Sequence, residues 1–332
     1  MAAEDNPEAM PTVPGYVHTP GNHCGSTALR NLLAFHGIAI SEEMAFGLGA
    51  GACFYYLAYE EMSPTRFFNG RTARLEEEFR DLTGAALEMR TFAEGDAEAW
   101  SAAAAEVDAG RPVLLLTDIY YLDHYGSSAH FPGHAVVLAG YDEEVAHLSD
   151  TGFKELQTTQ LENLGRARHS GHPPYPLEGQ MFTVAAALEQ EALEAAIPAA
   201  IARAAKEMLE PTFGEFAGIP ALERLAAEAG AWPEAAPDWQ WCARFAYQVI
   251  ERRGTGGGCF RPMYGRFLEE AGRPEAPLAA AAGERWTELA EAFKAASESG
   301  DPEPALWRQV GGGAGEVLEA ERHLWTALAD GV

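Results

Sequence analysis

A chain of 332 residues, 47% of them hydrophobic, can bury one large core or two smaller ones. Its formal charge of -27 argues against nucleic acid or an anionic membrane as partner, because the mean field repels both. No apolar run approaches the ~18 residues of a membrane span, and Met1 to Met10 is acidic, without the cationic-then-apolar pattern of an export signal. Four cysteines (Cys24, Cys53, Cys242, Cys259) show neither a CxxC pair nor zinc spacing. Free thiols in the cytoplasm are therefore the expectation. An acidic surface suits a cationic, amine-rich small molecule as well as plain solubility. An acidic protein partner would need a local basic patch.

Residues 1–20 are Pro-rich and read as extended. Gly21 and Asn22 make a turn, after which Ala28, Leu29, Leu32 and Leu33 fall at helical spacing and stop near His36-Gly37. Ser41-Glu42-Glu43 signals another helix start. The glycines at 47, 49 and 51 predict a loop lying against another backbone or a ligand, with no phosphate-binding signature around them. Residues 54–59 read as a buried strand, 72–83 as a solvated helix, 86–90 as a short strand and 97–109 as a helix. Core strands follow at 111–118 and 133–141, a returning strand at 145–150, a helix at 158–168 and a last strand at 180–184. This is an α+β layout.

From about residue 187 Ala, Glu, Leu and Arg dominate, strand signals vanish, and helices recur between Pro/Gly breaks: 188–209, 221–229, 239–253, 263–271, 278–296 and 316–329. Two domains are expected, an α+β domain over 1–186 and an all-α domain over 187–332.

Cys24 stands at the first turn of a helix, where unpaired backbone N–H groups and the helix dipole favour a thiolate. A small buried hydrophobe is the alternative. In the hairpin His134 to Asp150, a turn centred on Asp142 sets His134 opposite Asp150, on one face of the sheet. There a carboxylate can fix the tautomer and orientation of an imidazole. His147 has the wrong parity, and Asp142 lies roughly 25 Å along the strand. Thiol, base and orienter in the order Cys24, His134, Asp150 resemble papain-like cysteine enzymes, in which a helix carrying the thiol packs on a sheet carrying the histidine. The rival reading is a core histidine capped by a structural aspartate.

Residues 23–33 (HCGSTALRNLL), Phe46-Gly47-Leu48-Gly49 and Gly133-His134-Ala135-Val136-Val137 resemble the N-terminal domain of the butirosin biosynthesis protein H family. Gly218-Ile219-Pro220-Ala221-Leu222, Trp232-Pro233 and the run from Ile250 to Arg261, with Tyr264, Phe267 and Leu268, resemble its helical companion domain. The resemblance implies an acyltransferase of antibiotic biosynthesis. It would move an acyl group from an acyl carrier protein's phosphopantetheine thioester to an amine of a small-molecule acceptor, through acyl-Cys24, with no further cofactor. Related papain-like peptidases place a Gln six residues before the Cys, where this chain has His18. The oxyanion hole would then rest on backbone N–H groups near Cys24, helped by His18 or Asn22. A thioester tolerates a weaker hole than a peptide bond does.

The glycine run after Arg252, with Gly256 and Gly257, reads either as an anion nest for the phosphopantetheine phosphate or as a tight inter-helix turn. Tyr120, Tyr121, Tyr125 and His130 line the acyl pocket or fill the core. Asp123, His124, His130 and His134 match no metal-ligand spacing. Rival activities are a hydrolytic thioesterase, a cysteine peptidase or amidase, a carbon–carbon-forming cyclisation, and a non-catalytic carrier-binding module. The helical surface also allows a homodimer.

Overall fold

A computed structural model describes residues 11–84, 87–93, 95–173, 175–184 and 189–331. In chain order the elements are α1 (Cys24–Phe35), α2 (Glu42–Leu48), β1 (Ala52–Ala58), β2 (Arg66–Arg71), α3 (Leu75–Thr83), β3 (Leu87–Arg90), α4 (Asp96–Asp108) and β4 (Val113–Asp118). A single 3-10 turn, Ile119–Tyr121, leads towards the hairpin β5 (Pro132–Tyr141) and β6 (Val145–Ser149), then β7 (Gln157–Gln160), α5 (Leu161–Arg168) and β8 (Met181–Val184). Helices follow: α6 (Gln190–Leu209), α7 (Gly218–Glu228), α8 (Trp232–Ala235), α9 (Trp239–Glu251), α10 (Arg261–Glu270), α11 (Ala276–Glu298) and α12 (Pro304–Asp330). Among the described residues no helix is long and apolar enough to cross a membrane.

The chain forms two compact units, residues up to 42 with 84–190, and residues 43–83 with 191 onward. The division foreseen between 186 and 187, like the acidic stretch 1–10, lies outside the described residues. The units differ from the expected 1–186 and 187–332 domains in one segment: residues 43–83 pack with the helices. The reason is local. The β1–β2 hairpin is a separate two-stranded sheet whose aromatics need helical partners. Phe54 and Phe68 pack on Trp286, Phe67 on Phe245, and Tyr56 donates its hydroxyl to Glu228 at 2.8 Å.

The first unit is built on a six-stranded antiparallel sheet in the order β3-β8-β4-β5-β6-β7. Val113, Leu115, Val136, Leu138, Ala146, Leu148 and Met181 share a core with Ala99 and Ala103 of α4 and with Leu164 and Ala167 of α5. Strand alternation turns Ala135, Val137 and Ala139 to the other face, and α1 packs on β5 and β4. Leu29, Leu32 and Leu33 of α1 are fully buried, each contributing about 1.5–3 kcal/mol. The extended segment before α1 also joins this sheet: the Val13 N–H donates to Ala139 O at 2.7 Å, and Thr12 bridges to Gly140. A side chain at 140 is excluded, since its Cβ would lie 2.0 Å from the carbonyl oxygen of Pro11.

Three local readings change. Residues 46–48 continue α2 instead of looping, although the glycines do mark close approaches: a Cβ at Gly47 would strike the Phe267 ring. Residues 157–160 are an edge strand rather than the start of a helix. α12 begins at Pro304, not 316, and runs through Gly311, Gly312 and Gly313, with Gly311 beside Gly230.

Candidate active site

Cys24 is the first residue of α1, outside any disulfide and left partly exposed. His23 caps the helix, its ring accepting the Ser26 N–H. The buried Glu42 carboxylate also sits at this helix start. It accepts the N–H of His23 at 2.7 Å and of Asn22 at 2.9 Å, and the Ser26 hydroxyl at 3.4 Å.

His134 lies at the start of β5, anchored by a hydrogen bond from Thr117 Oγ1 to its carbonyl at 2.9 Å. Its Nε2–H donates to Asp150 Oδ1 at 2.9 Å, and its ring is hydrogen-bonded to the Cys24 side chain. With Nε2 engaged by Asp150, Nδ1 is the ring nitrogen left for the sulfur. Sulfur, imidazole and carboxylate thus form one hydrogen-bonded chain within the first unit.

The register that makes this pair is not the one anticipated. Val137 pairs with Ser149 and Leu138 with Leu148, and a bulge shifts the ladder before Gly140. Continued past β6, the pairing sets Asp150 beside Val136, two residues from His134. The offset is even, so both side chains keep one face and meet diagonally.

Asp150, fully buried, collects two further donors. The Tyr125 hydroxyl donates to Oδ1 at 3.2 Å and lies 3.3 Å from His134 Nε2, while His124 Nε2–H donates to Oδ2 at 2.9 Å. Burial alone would push the Asp150 carboxyl up, but the charge of His134 and the hydrogen bond from His124 hold it well below the usual carboxylate range. Burial would likewise lower the pKa of His134. Asp150 and Cys24 outweigh it, and the imidazolium is favoured well above the ordinary histidine value. Burial, Asp150 and Cys24 together keep the Tyr125 hydroxyl protonated.

The other anticipated residues fall in several places. His18 is held at both nitrogens, by Ser149 Oγ at 2.7 Å and by the Phe153 carbonyl at 2.9 Å. Asn22 gives its backbone N–H, and its side chain at 3.4 Å, to Glu42. The His18 ring is thus engaged inside the fold, whereas the Asn22 side chain is exposed. His130 belongs to a different cluster: its Nδ1–H donates to the buried Asp118 at 2.7 Å, and its ring stacks between Tyr120 and His172. Tyr120 and Tyr121 line an open pocket of about 350 Å³ with Asp123, Ser127, Asn163 and Arg166. Cys24, His134 and Asp150 are not among the residues lining it.

In the second unit the Gly257 N–H goes to Thr255 Oγ1 and the Gly258 N–H to the carboxylate of Glu251, while Arg252 bonds the Tyr247 hydroxyl. A carboxylate already fills the turn. Gly258 is required there, with φ +52° and its would-be Cβ 2.9 Å from the Gly283 carbonyl.

Two residues escaped the sequence reading. His124 drew notice only as a poor metal ligand and Tyr125 only as pocket lining. Both sit in an irregular loop, where no periodicity tells which way a side chain points.

No curated protein matches the chain. Residues 23–151 match the family model described as butirosin biosynthesis protein H, N-terminal, and residues 162–328 match a domain of unknown function, DUF4872. The first match begins one residue before Cys24 and ends one residue after Asp150, so it brackets the hydrogen-bonded chain, and the second covers half of the sequence. The chain belongs to the butirosin biosynthesis protein H family, with that family's N-terminal domain followed by a DUF4872 domain.

Proposed function

We propose that this chain is a papain-like, Cys24-dependent acyltransferase that takes its acyl group from a carrier-protein thioester and delivers it to an amine of a small-molecule acceptor. The observation that carries the reading is the Cys24–His134–Asp150 chain of hydrogen bonds, with a buried carboxylate holding the imidazole in its charged form. An imidazolium beside a thiol favours the thiolate, the reactive state. The thiolate attacks the thioester carbonyl, and backbone N–H groups in the first turn of α1 hold the oxyanion. As the tetrahedral species collapses, the carrier thiolate leaves and takes the proton from His134, producing acyl-Cys24 and neutral imidazole. The amine then attacks the acyl-Cys24 carbonyl, His134 takes the amine proton, and the amide departs. Thiolate and imidazolium are restored together. The family match to a biosynthetic protein points the same way.

The test is incubation of the full chain with an acyl thioester of pantetheine, followed by intact mass spectrometry. The acyl mass should appear on wild type, be absent from Cys24→Ala, and leave as an amide when an amine is added. Release of free acid without an amine would make the protein a thioesterase. No adduct, with Cys24 no more reactive than the buried cysteines, would reduce it to a binding module.

A further inference from the structure

Asp150 receives two imidazoles, and the reaction above uses only one. We infer that His124 is a positioning residue that locks the Asp150 carboxylate so that Oδ1 faces His134; the inference rests on the Cys24–His134 reading.

Both nitrogens of the His124 ring are engaged. Thr159 Oγ1, buried, accepts the Asp123 N–H at 3.1 Å and lies 3.2 Å from His124 Nδ1. The opposite nitrogen gives its Nε2–H to Asp150 Oδ2 at 2.9 Å. The ring is held edge-on to Phe153, with centroids 5.1 Å apart, and against Tyr125 at 4.9 Å, its side chain only 5% exposed. Of the titratable groups in this cluster, Asp150 and Tyr125 touch the ring or its proton, while His134 and Cys24 lie one step beyond. Neighbouring Asp123 is turned away, its oxygens taken by the Gln160 N–H and the Asn163 amide, both at 2.7 Å.

His124 fills Oδ2, so the carboxylate cannot rotate Oδ1 out of line. Without it, Oδ2 is a buried acceptor lacking one of its donors, and the carboxylate plane is free to turn.

Iodoacetamide alkylation of Cys24, followed by peptide mass spectrometry from pH 5 to 9, reads the thiolate whatever the natural acyl group is. The acid limb of the His124→Ala profile should move up by about one pH unit, a roughly tenfold slower reaction at pH 6. His124→Gln, whose amide can donate to Oδ2 without titrating, should recover to within about threefold of wild type. A His124→Ala profile that superimposes on wild type overturns the inference. So does a His124→Gln protein that unfolds at the wild-type temperature yet behaves like His124→Ala. Acyl thioester runs beside it separate the two readings. Alkylation as expected without acyl uptake by wild type removes acyl transfer and keeps the positioning role. Acyl uptake with an unshifted His124→Ala profile removes the positioning role alone.

Discussion

Replacing Asp150 with Asn changes two things in a fully buried site. First, the charge facing His134 disappears. With charge centres about 4 Å apart and an effective dielectric near 20, the lost attraction is about 4 kcal/mol. That is roughly a thousandfold in the population of the thiolate–imidazolium pair. Second, three donors converge on Asp150, from His134, His124 and Tyr125. A carboxylate offers two oxygens, whereas Asn offers one oxygen and an NH2. With the oxygen towards His134 and Tyr125, the amide nitrogen meets the Nε2–H of His124, which must move its proton to Nδ1 or lose its bond. Single-turnover acylation of Asp150→Asn by pantetheine thioester should therefore slow by about 10²–10³, the range left when part of the charge loss is screened. Iodoacetamide labelling at pH 6 should fall in parallel, because both read the thiolate. Acylation within fivefold of wild type, in a protein with an unchanged thermal transition, would refute the argument that this carboxylate sustains the ion pair.

Stability should follow pH through the same pair. The folded pKa of His134 is raised, so its contribution is complete below the unfolded value near 6.5 and is lost as pH rises through the folded one. That of Asp150 is lowered, so its contribution is complete above about 4 and is lost as pH falls through the folded value. These are two ends of one interaction, and the gap in melting temperature between wild type and Asp150→Asn should be widest between about pH 4 and 6.5; a gap constant from pH 4 to 10 would contradict this. In the second unit, fully buried Glu321 accepts Arg261 Nε at 2.7 Å and the indole N–H groups of Trp286 and Trp325 at 2.5 and 2.6 Å. Glu321→Gln strands a buried guanidinium and should cost about 3–5 kcal/mol in urea unfolding, a loss below 1 kcal/mol counting against the pairing. Gly140→Ala drives a Cβ into the backbone of Pro11 and Thr12, where nothing flexible can yield. It should release residues 11–13 to limited proteolysis and cost about 1–3 kcal/mol; wild-type protection would show that the segment is not seated there.

The parts of the fold legible in the sequence are those with a period. Leu29, Leu32 and Leu33 announced α1, and the unbroken apolar runs of β4 and β5 announced core strands. The His134–Asp150 pair was legible because parity survives an even slip: the ladder is offset by two residues, and the faces still agree. What stayed hidden depends on distant partners. Nothing in residues 52–71 says that Phe54 and Phe68 will pack on Trp286, more than two hundred residues on. Gly311 to Gly313 signal a break by propensity, yet α12 runs through them, with Trp307, Val310, Ala314 and Val317 buried on either side. The helix start at Ser41-Glu42 was visible, but not that Glu42 turns back to the Cys24 helix.

That carboxylate alters the weight given to the helix end. An N-terminus stabilises an anion by about 0.3–1 kcal/mol at an exposed position. Here the N–H groups of Asn22 and His23 and the Ser26 hydroxyl already serve Glu42, a second anion competing for the same field. Whatever the dipole offers the sulfur of Cys24 is shared with, and partly cancelled by, this neighbour. The imidazolium of His134 is worth about 4 kcal/mol to a charge at 4 Å. On the proposed reading, therefore, the ionisation of Cys24 would be decided mainly across the sheet, by Asp150 and the donors around it, and the helix would contribute position more than charge.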